Sequence, residues 1–389
     1  MAIFENIEVA FKDKTNKDLN RAYILFKSIS NPFFSKIATK LIKGAIFFKI
    51  PIDGIVKKTI YKHFCGGTTI KDSTSTINKL WDSKIGTILD FSSEGKATKK
   101  DFHHAMNETI ATIQEAKNNE KIPFSVFKPT GLARFNLLEK INNNIKLSNK
   151  EIIEKNEFTN RIEKICTNAR RNKVPVFIDA EESWIQNGVD DIAQKMMRKF
   201  NTKNTWVFNT IQMYRKDRIA YLSKLIKDAK KYKYKIGIKI VRGAYHEQEI
   251  ERSIIKKYTS PVYKEKYLTD INYNKGLEIC LKNIDLISVC AGTHNEESSE
   301  LLIKLLKKHN IKNNDKRISF SQLLGMSDHI SYNIAKKGFN VAKYVPYGPV
   351  KDVIPYLIRR AEENTSISGQ MNRELTNIIK EIKRRKKNT

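Results

Sequence analysis

Cysteine is scarce. The chain of 389 residues has four, Cys65, Cys166, Cys280 and Cys290. None forms a CxxC pair or lies at metal-ligand spacing from a histidine. That excludes a zinc module and a disulfide framework and points to a reducing compartment. The adjacent His103 and His104 lack the i,i+4 spacing of a helical metal site. No GxSxG elbow stands before a Ser-His-Asp order, which excludes a hydrolase of that kind. No GxGxxG follows the first strand, which argues against a Rossmann dinucleotide site. Long apolar runs are missing too. The most apolar stretch, GAIFFKIPIDGIV, is too short to span a bilayer and contains Lys49, Pro51 and Asp53. The opening residues MAIFENIEVAFKDKTNKDLN lack the basic start and apolar core of a secretory signal, and their acids argue against a transit peptide. A cytoplasmic location, peripheral at the inner face of a membrane, is therefore expected.

Acidic residues are the other shortage: 42 against 72 basic ones, a net charge of +30. Charge of that sign suits nucleic acid or an anionic membrane. Here the basic residues are spread along the chain, mostly as lysine among Asn and Ile, and read as a solvated surface rather than a nucleic-acid face. The exception is the end, KEIKRRKKNT. Residues 374–389 are expected to be a helix fraying into a basic tail, able to attract anionic lipid.

Short β-branched runs alternate with helical patterns eight times. The strands are IGTILD (85–90), FSVFKP (124–129), VPVFID (174–179), TWVFNTI (205–211), KIGIKIV (235–241), LISVCAG (286–292), ISFSQL (318–323) and VAKYVP (341–346). Each is nearly continuously apolar or small, as a strand covered on both sides must be. Eight strand-helix units predict a distorted (β/α)8 barrel, an α/β fold, over residues 81–373; an open doubly wound sheet is the alternative. Residues 1–80 read as a helical segment: NKDLNRAYILFKSIS, then FFSKIATKLIKGAIFFKI, then DGIVKKTIYKHF.

A barrel carries its active site at the C-terminal ends of its strands. Unusual polar residues stand there. Asp90, with Glu94 beyond it, ends the first strand, Lys128 the second and Asp179 the third. Gln212 follows the fourth, Arg242 the fifth, and Thr293 and His294 the sixth. Leu323 ends the seventh, and Tyr344 lies in the eighth. The helix after the last strand carries Tyr356, Arg359, Arg360 and Glu363 at i, i+3, i+4 and i+7, on one face. Two guanidiniums beside a phenol suit a small carboxylate held bidentately. The same stretch also fits a surface helix whose arginines pair with Glu362 and Glu363. Asp179 also fits a helix N-cap.

The blocks LDFSSEGK, FKPTGLAR, VFIDAEE, FNTIQMYRKD, IKIVRGAYHEQE, TDINYN, GTHN, QLLGMSD and YVPYGPVKDVIPYLIRRAEEN resemble those of proline dehydrogenases, in the same order. The resemblance runs from about Phe64 to about Arg373. It implies FAD as cofactor, L-proline as substrate and 1-pyrroline-5-carboxylate as product, by hydride transfer to the flavin. It also implies a membrane quinone as electron acceptor, and a single activity rather than a fused pair. By the resemblance, Lys128, Arg359 and Arg360 hold the carboxylate, while Leu323, Tyr344 and Tyr356 pack the ring. Asp179 lies near flavin and amine, and Glu94 closes over Arg359. Gln212, Lys239, Arg242, Gly243, Ala244, Thr269, Thr293, His294 and Glu363 are placed at the cofactor. Many bacterial relatives carry arginine where Lys239 stands. Two other readings remain. A folate-reducing barrel flavoenzyme would use a nicotinamide, and a nucleic-acid binder would bind no flavin.

Overall fold

A computed structural model describes residues 3–29, 53–92, 97–366 and 368–387. Eight parallel strands close into a barrel in sequence order: β1 (Ile85–Phe91), β2 (Phe124–Phe127), β3 (Val176–Ile178), β4 (Val207–Gln212), β5 (Ile236–Val241), β6 (Ile287–Gly292), β7 (Ile318–Leu323) and β8 (Val341–Tyr347). The barrel shuts where β1 and β8 pair over seven residues, from Ile85 beside Val341 to Phe91 beside Tyr347. An open doubly wound sheet is thereby excluded. Each expected strand is found within about two residues of its bounds. The shortest, β3, keeps three residues because Asp179 and Ala180 already turn toward the next helix.

The intervening helices lay their apolar faces on the strands. Lys99–Ala116 begins on a reciprocal cap, Thr98 with Asp101, and Asn149–Asn172 on another, Ser148 with Glu151. Ser183–Phe200 buries Ile185, Val189, Ile192, Ala193, Met196, Met197 and Phe200, an i,i+3,i+4 stripe.

Strand residues alternate inward and outward. The inward ones fill the barrel in layers. The lower layers are apolar: Ile88, Phe124, Val126, Phe177, Phe208 and Cys290 pack together. The Phe177 ring stacks on Phe124 at 4.6 Å and meets Phe208 edge-on at 5.3 Å. This plug seals one end and leaves the other open.

The helical parts at the two ends of the chain share a second core. Leu19, Phe26, Tyr61 and Phe64 pack against Val353, Ile354, Leu357 and Ile378. The helix Asn16–Ile29 and the helical stretch Asp53–Phe64 stand where helices were expected, while residues 33–50 lie outside the described residues. The chain's end differs from a fraying tail. Ser368–Lys387 is one helix, and its basic last turns are tied down. Arg384 and Arg385 both donate to the buried Glu381, and Arg385 also reaches the carbonyls of Phe11 and Lys14. Guanidiniums satisfied at a helix C-terminus stabilise it rather than splay it.

Candidate functional site

At the open end lies a cavity of about 750 Å³, within the range of roughly 300–1,000 Å³ usual for ligand sites. Its floor is the top inward layer of the strands: Asp90, Lys128, Asp179, Thr210, Gln212, Lys239, Ser321, Leu323 and Tyr344.

Lys239 stands at the centre. Its inward parity with Gly237 aims it over the aromatic plug, 5.4 Å from the Phe177 ring centre and 4.5 Å from that of Tyr344. Its ammonium donates to Asp179 Oδ1 and to the Tyr344 hydroxyl, each at 2.5 Å, and Tyr344 lies 3.3 Å from the same carboxylate oxygen. Burial first, and the Asp179 charge next, push the Tyr344 hydroxyl well above its ordinary range. The phenol is therefore neutral and acts as a donor. Beside this triad, Lys128 faces Asp90 at 3.2 Å, with both side chains nearly buried. Tyr356 and Arg359, from the helix Val350–Ser366, also line the cavity.

The loop after β5 forms a second wall. Gly243 has φ +131°, and a Cβ there would lie 2.6 Å from the Tyr214 ring, so the tight turn needs glycine. Arg242 is fixed on three sides. It donates to Asp270 at 2.6 Å, to Thr293 Oγ1 at 2.6 Å and to Ser298 Oγ at 2.9 Å, while its plane lies over Tyr273. Gln212 donates to the Glu181 carbonyl at 2.6 Å, and its own oxygen faces the Ala244 N–H at 3.4 Å. His294 meets Ser327 Oγ at 2.9 Å.

Most residues expected at the site are thus in the cavity wall, with differences. Thr269 is not. It shares the buried face of the helix Lys266–Lys282 with Asn272 and Tyr273, and its neighbour Asp270 is the one that reaches Arg242. Glu94 lies outside the described residues. So do the side chains of Arg360 and Glu363, although their backbone belongs to the helix Val350–Ser366.

The cavity also holds residues the sequence did not single out. Thr210 and Ser321 share inward parity with Gln212 and Leu323, a signal that register would have revealed. Thr210 Oγ1 is buried, lines the cavity and makes no hydrogen bond to protein. A cluster of Glu296, His329 and Arg373 completes the rim: His329 Nε2 meets Glu296 at 2.9 Å, and Arg373 Nε donates to it at 3.0 Å. Behind the cavity wall lies Glu181, buried, which accepts from Thr130 N at 2.9 Å and Thr130 Oγ1 at 2.5 Å. Burial first, and the Glu182 charge next, push its carboxyl up to about 8, so at neutral pH it is mostly protonated.

A flavin-type dinucleotide fits these features. The wall offers a glycine turn for close approach, a fixed guanidinium for anionic groups, an orphaned hydroxyl and a floor of donors. Among the described residues no cluster of His, Cys, Asp and Glu is arranged to hold a metal ion.

Fold and site together define a (β/α)8 enzyme with an anion-receptive, cofactor-sized cavity at the strand ends. The proline dehydrogenase family profile matches residues 73–373. The chain belongs to the proline dehydrogenase family. It is 32% identical to proline dehydrogenase 1, mitochondrial, of Dictyostelium discoideum, over 96% of this chain and 74% of that one. It is likewise 32% identical to the carbapenem antibiotics biosynthesis protein CarD of Pectobacterium carotovorum, over 83% of each. Among solved structures, proline utilization A of Bdellovibrio bacteriovorus superposes with a TM-score of 0.72 at 20% identity, over 94% of this chain. This chain spans 39% of that longer one, and the likeness speaks for the fold.

The expected cytoplasmic location is corrected by these relatives. Those of Dictyostelium discoideum, Drosophila melanogaster and Arabidopsis thaliana carry mitochondrial names. No described helix is long and apolar enough to cross a membrane.

Proposed function

We propose that the protein is an FAD-dependent enzyme that oxidises L-proline to 1-pyrroline-5-carboxylate, the first step of proline catabolism, and passes the electrons to a membrane quinone. The observation that carries this reading is the Lys239–Asp179–Tyr344 triad on the cavity floor, in a cavity that Arg359 and Tyr356 also line. When bound, FAD supplies the hydride acceptor. Gln212, Arg242, Gly243, Ala244, Thr293 and His294 would hold it, with Lys239 beneath. Thr269 would act through its helix, and Glu363 lies on the clamp helix.

The protein's own work is positional and electrostatic. Arg359 and Arg360, with Lys128 nearby, would grip the substrate carboxylate. Leu323, Tyr344 and Tyr356 would enclose the apolar ring. The substrate nitrogen must be neutral before hydride leaves the carbon beside it. Glu94, three residues beyond β1, would close over Arg359 and exclude water. We propose the same division as the sequence: a helical segment to residue 80, a barrel from 81 to 373, and a basic end from 374.

The test is proline-dependent reduction of a soluble dye by the purified protein supplied with FAD. Arg359→Met should lower kcat/KM for proline by about 2–5 kcal/mol, because a desolvated charge pair loses one partner. Normal proline kinetics in that variant would remove the clamp. Nicotinamide-dependent turnover without proline would favour the folate-reducing alternative.

A further inference from the structure

Beside the cavity mouth the surface is unusually apolar. Half of the strongly exposed large apolar side chains among the described residues fall between 254 and 271: Ile254 at 71%, Ile255 at 66%, Tyr258 at 40%, Tyr267 at 61% and Ile271 at 58%. Single exposed apolar side chains need no explanation, but a concentration does.

Contacts keep the whole segment at the cavity end: Arg252 lies over Trp184 at the start of the helix after β3, and Tyr263 N donates to the Tyr214 carbonyl just after β4. The helix His246–Ile255 follows directly from the turn at the C-terminal end of β5. The helix Lys266–Lys282 must run back to the start of β6, so its first turns, with Tyr267 and Ile271 at i,i+4, also stand at the open end. Tyr245 and Lys266, at the starts of these two helices, are in the cavity wall.

The short helix is held rigidly by its other side. Glu249 is fully buried and accepts from Ser183 N and Ser183 Oγ, each at 2.6 Å. Arg252 pairs with Glu139 and lies over the Trp184 ring. Ile254 and Ile255 are therefore displayed at the tip of an anchored element. Exposed lysines stand among the apolar side chains: Lys256, Lys257, Lys264 and Lys266.

We propose that this rim, residues 254–271, is the surface that docks the enzyme on an anionic lipid bilayer, apolar side chains in the headgroup boundary and lysines on the phosphates. Long lysine stems suit that geometry, because each keeps its charge outside while its carbons lie along apolar surface. Lipid is favoured over a second copy of the chain by charge. An isologous contact would bring the same lysines face to face, on a protein already carrying +30. An acceptor dissolved in lipid would be met by docking, and no described helix is long and apolar enough to cross a membrane. The proposal rests on the functional reading only for what is gained: the mouth faces the phase that would hold the quinone.

The experiment is co-sedimentation of the full-length, FAD-supplied protein with phosphatidylcholine vesicles, with and without phosphatidylglycerol. The variants are Ile254→Ser with Ile255→Ser, Tyr267→Ser with Ile271→Ser, and all four together. These side chains are exposed, so unfolding midpoints and dye-linked proline oxidation should stay at the wild-type level. Wild type should sediment with the anionic vesicles, and the fourfold variant should lose about tenfold in partition, since docking scales with inserted apolar area. Lys383→Gln with Lys386→Gln and Lys387→Gln should bind nearly as wild type. Unchanged binding of the fourfold variant overturns the proposal. So does wild type that ignores anionic vesicles, or a self-association lost in the variant while lipid binding persists. Failure of wild type to oxidise proline with the dye would instead contradict the functional reading, and the vesicle result would still decide the surface.

Discussion

Neighbouring residues of β8 point two ways and meet two different lysine–aspartate clusters. Tyr344 turns inward to Lys239 and Asp179, at the floor of an open cavity. Lys343 turns outward and is fully buried. Its ammonium lies 2.8 Å from Asp328, which also pairs with Lys14 at 3.2 Å, and it donates to the carbonyls of Leu323 and Met326. Burial works against the Asp328 charge, but Lys14 and Lys343 outweigh it and hold that carboxyl well below its ordinary range. The chemistry is the same in both places, and the surroundings differ. The outer cluster is closed around Lys343 and Asp328, with Lys14 partly solvated at its edge. It ties the N-terminal segment to the barrel and fixes the loop that begins at Leu323. The inner cluster opens on a space of ligand size. A buried ion pair therefore does not mark function by itself; one that faces an open cavity does.

The largest expected effect separates the clusters by stability. Asp328→Asn leaves Lys343 buried without its counter-ion and should cost about 3–5 kcal/mol, read from the urea midpoint. A loss below about 1 kcal/mol would show that the outer cluster is not what holds the loop. Lys239→Met should do the reverse. Its cost should appear in turnover, a fall of about 10²–10³-fold in kcat, as when one fixed donor is removed from a reacting site. If Lys239→Met unfolded the protein while keeping its turnover per folded molecule, the comparison would be inverted.

Glu181 gives a pH-resolved test. Its carboxyl is raised in the folded protein, so the fold keeps a proton that the unfolded chain has lost. Stability should fall as pH rises from about 4.5 to about 8, and level off above. The slope from this one group is at most about 1.4 kcal/mol per pH unit. Glu181→Gln should flatten the unfolding midpoint across that window; an unchanged slope would show that Glu181 is ionised in the folded protein. The smallest effect is expected from Lys14→Met, about 1 kcal/mol. Lys14 is partly solvated, and Asp328 keeps Lys343.

The barrel was legible because strands covered on both faces read as continuous apolar runs, and eight of them alternate with helical patterns. The polar strand ends were legible for the same reason: Asp90, Lys128 and Asp179 interrupt apolar runs. Inward or outward parity was not legible. Lys239 and Lys343 both stand inside apolar strands, and only register shows that one faces the cavity and the other is sealed behind it. Thr210 and Ser321 were missed because a hydroxyl in a strand carries no signal until parity is known. Glu296 and His329 look like ordinary residues of helix first turns. Arg373 lies about eighty residues from Glu296 in sequence, a separation that no spacing rule bridges. Thr269 is buried behind the cavity wall, on the same helix face as the Tyr273 that underlies Arg242, a rotation that the resemblance does not give. The basic end was misread because Glu381, which satisfies its arginines, looked like one acid among many bases.

The most direct test of the central claim is the absorption spectrum of the purified protein before and after anaerobic addition of L-proline. The inner cluster with its cavity should retain non-covalent FAD, giving a yellow protein whose flavin band bleaches with proline and recovers with an oxidant. A protein that stays colourless after FAD is supplied, or a flavin band that L-proline leaves unchanged, would contradict the account.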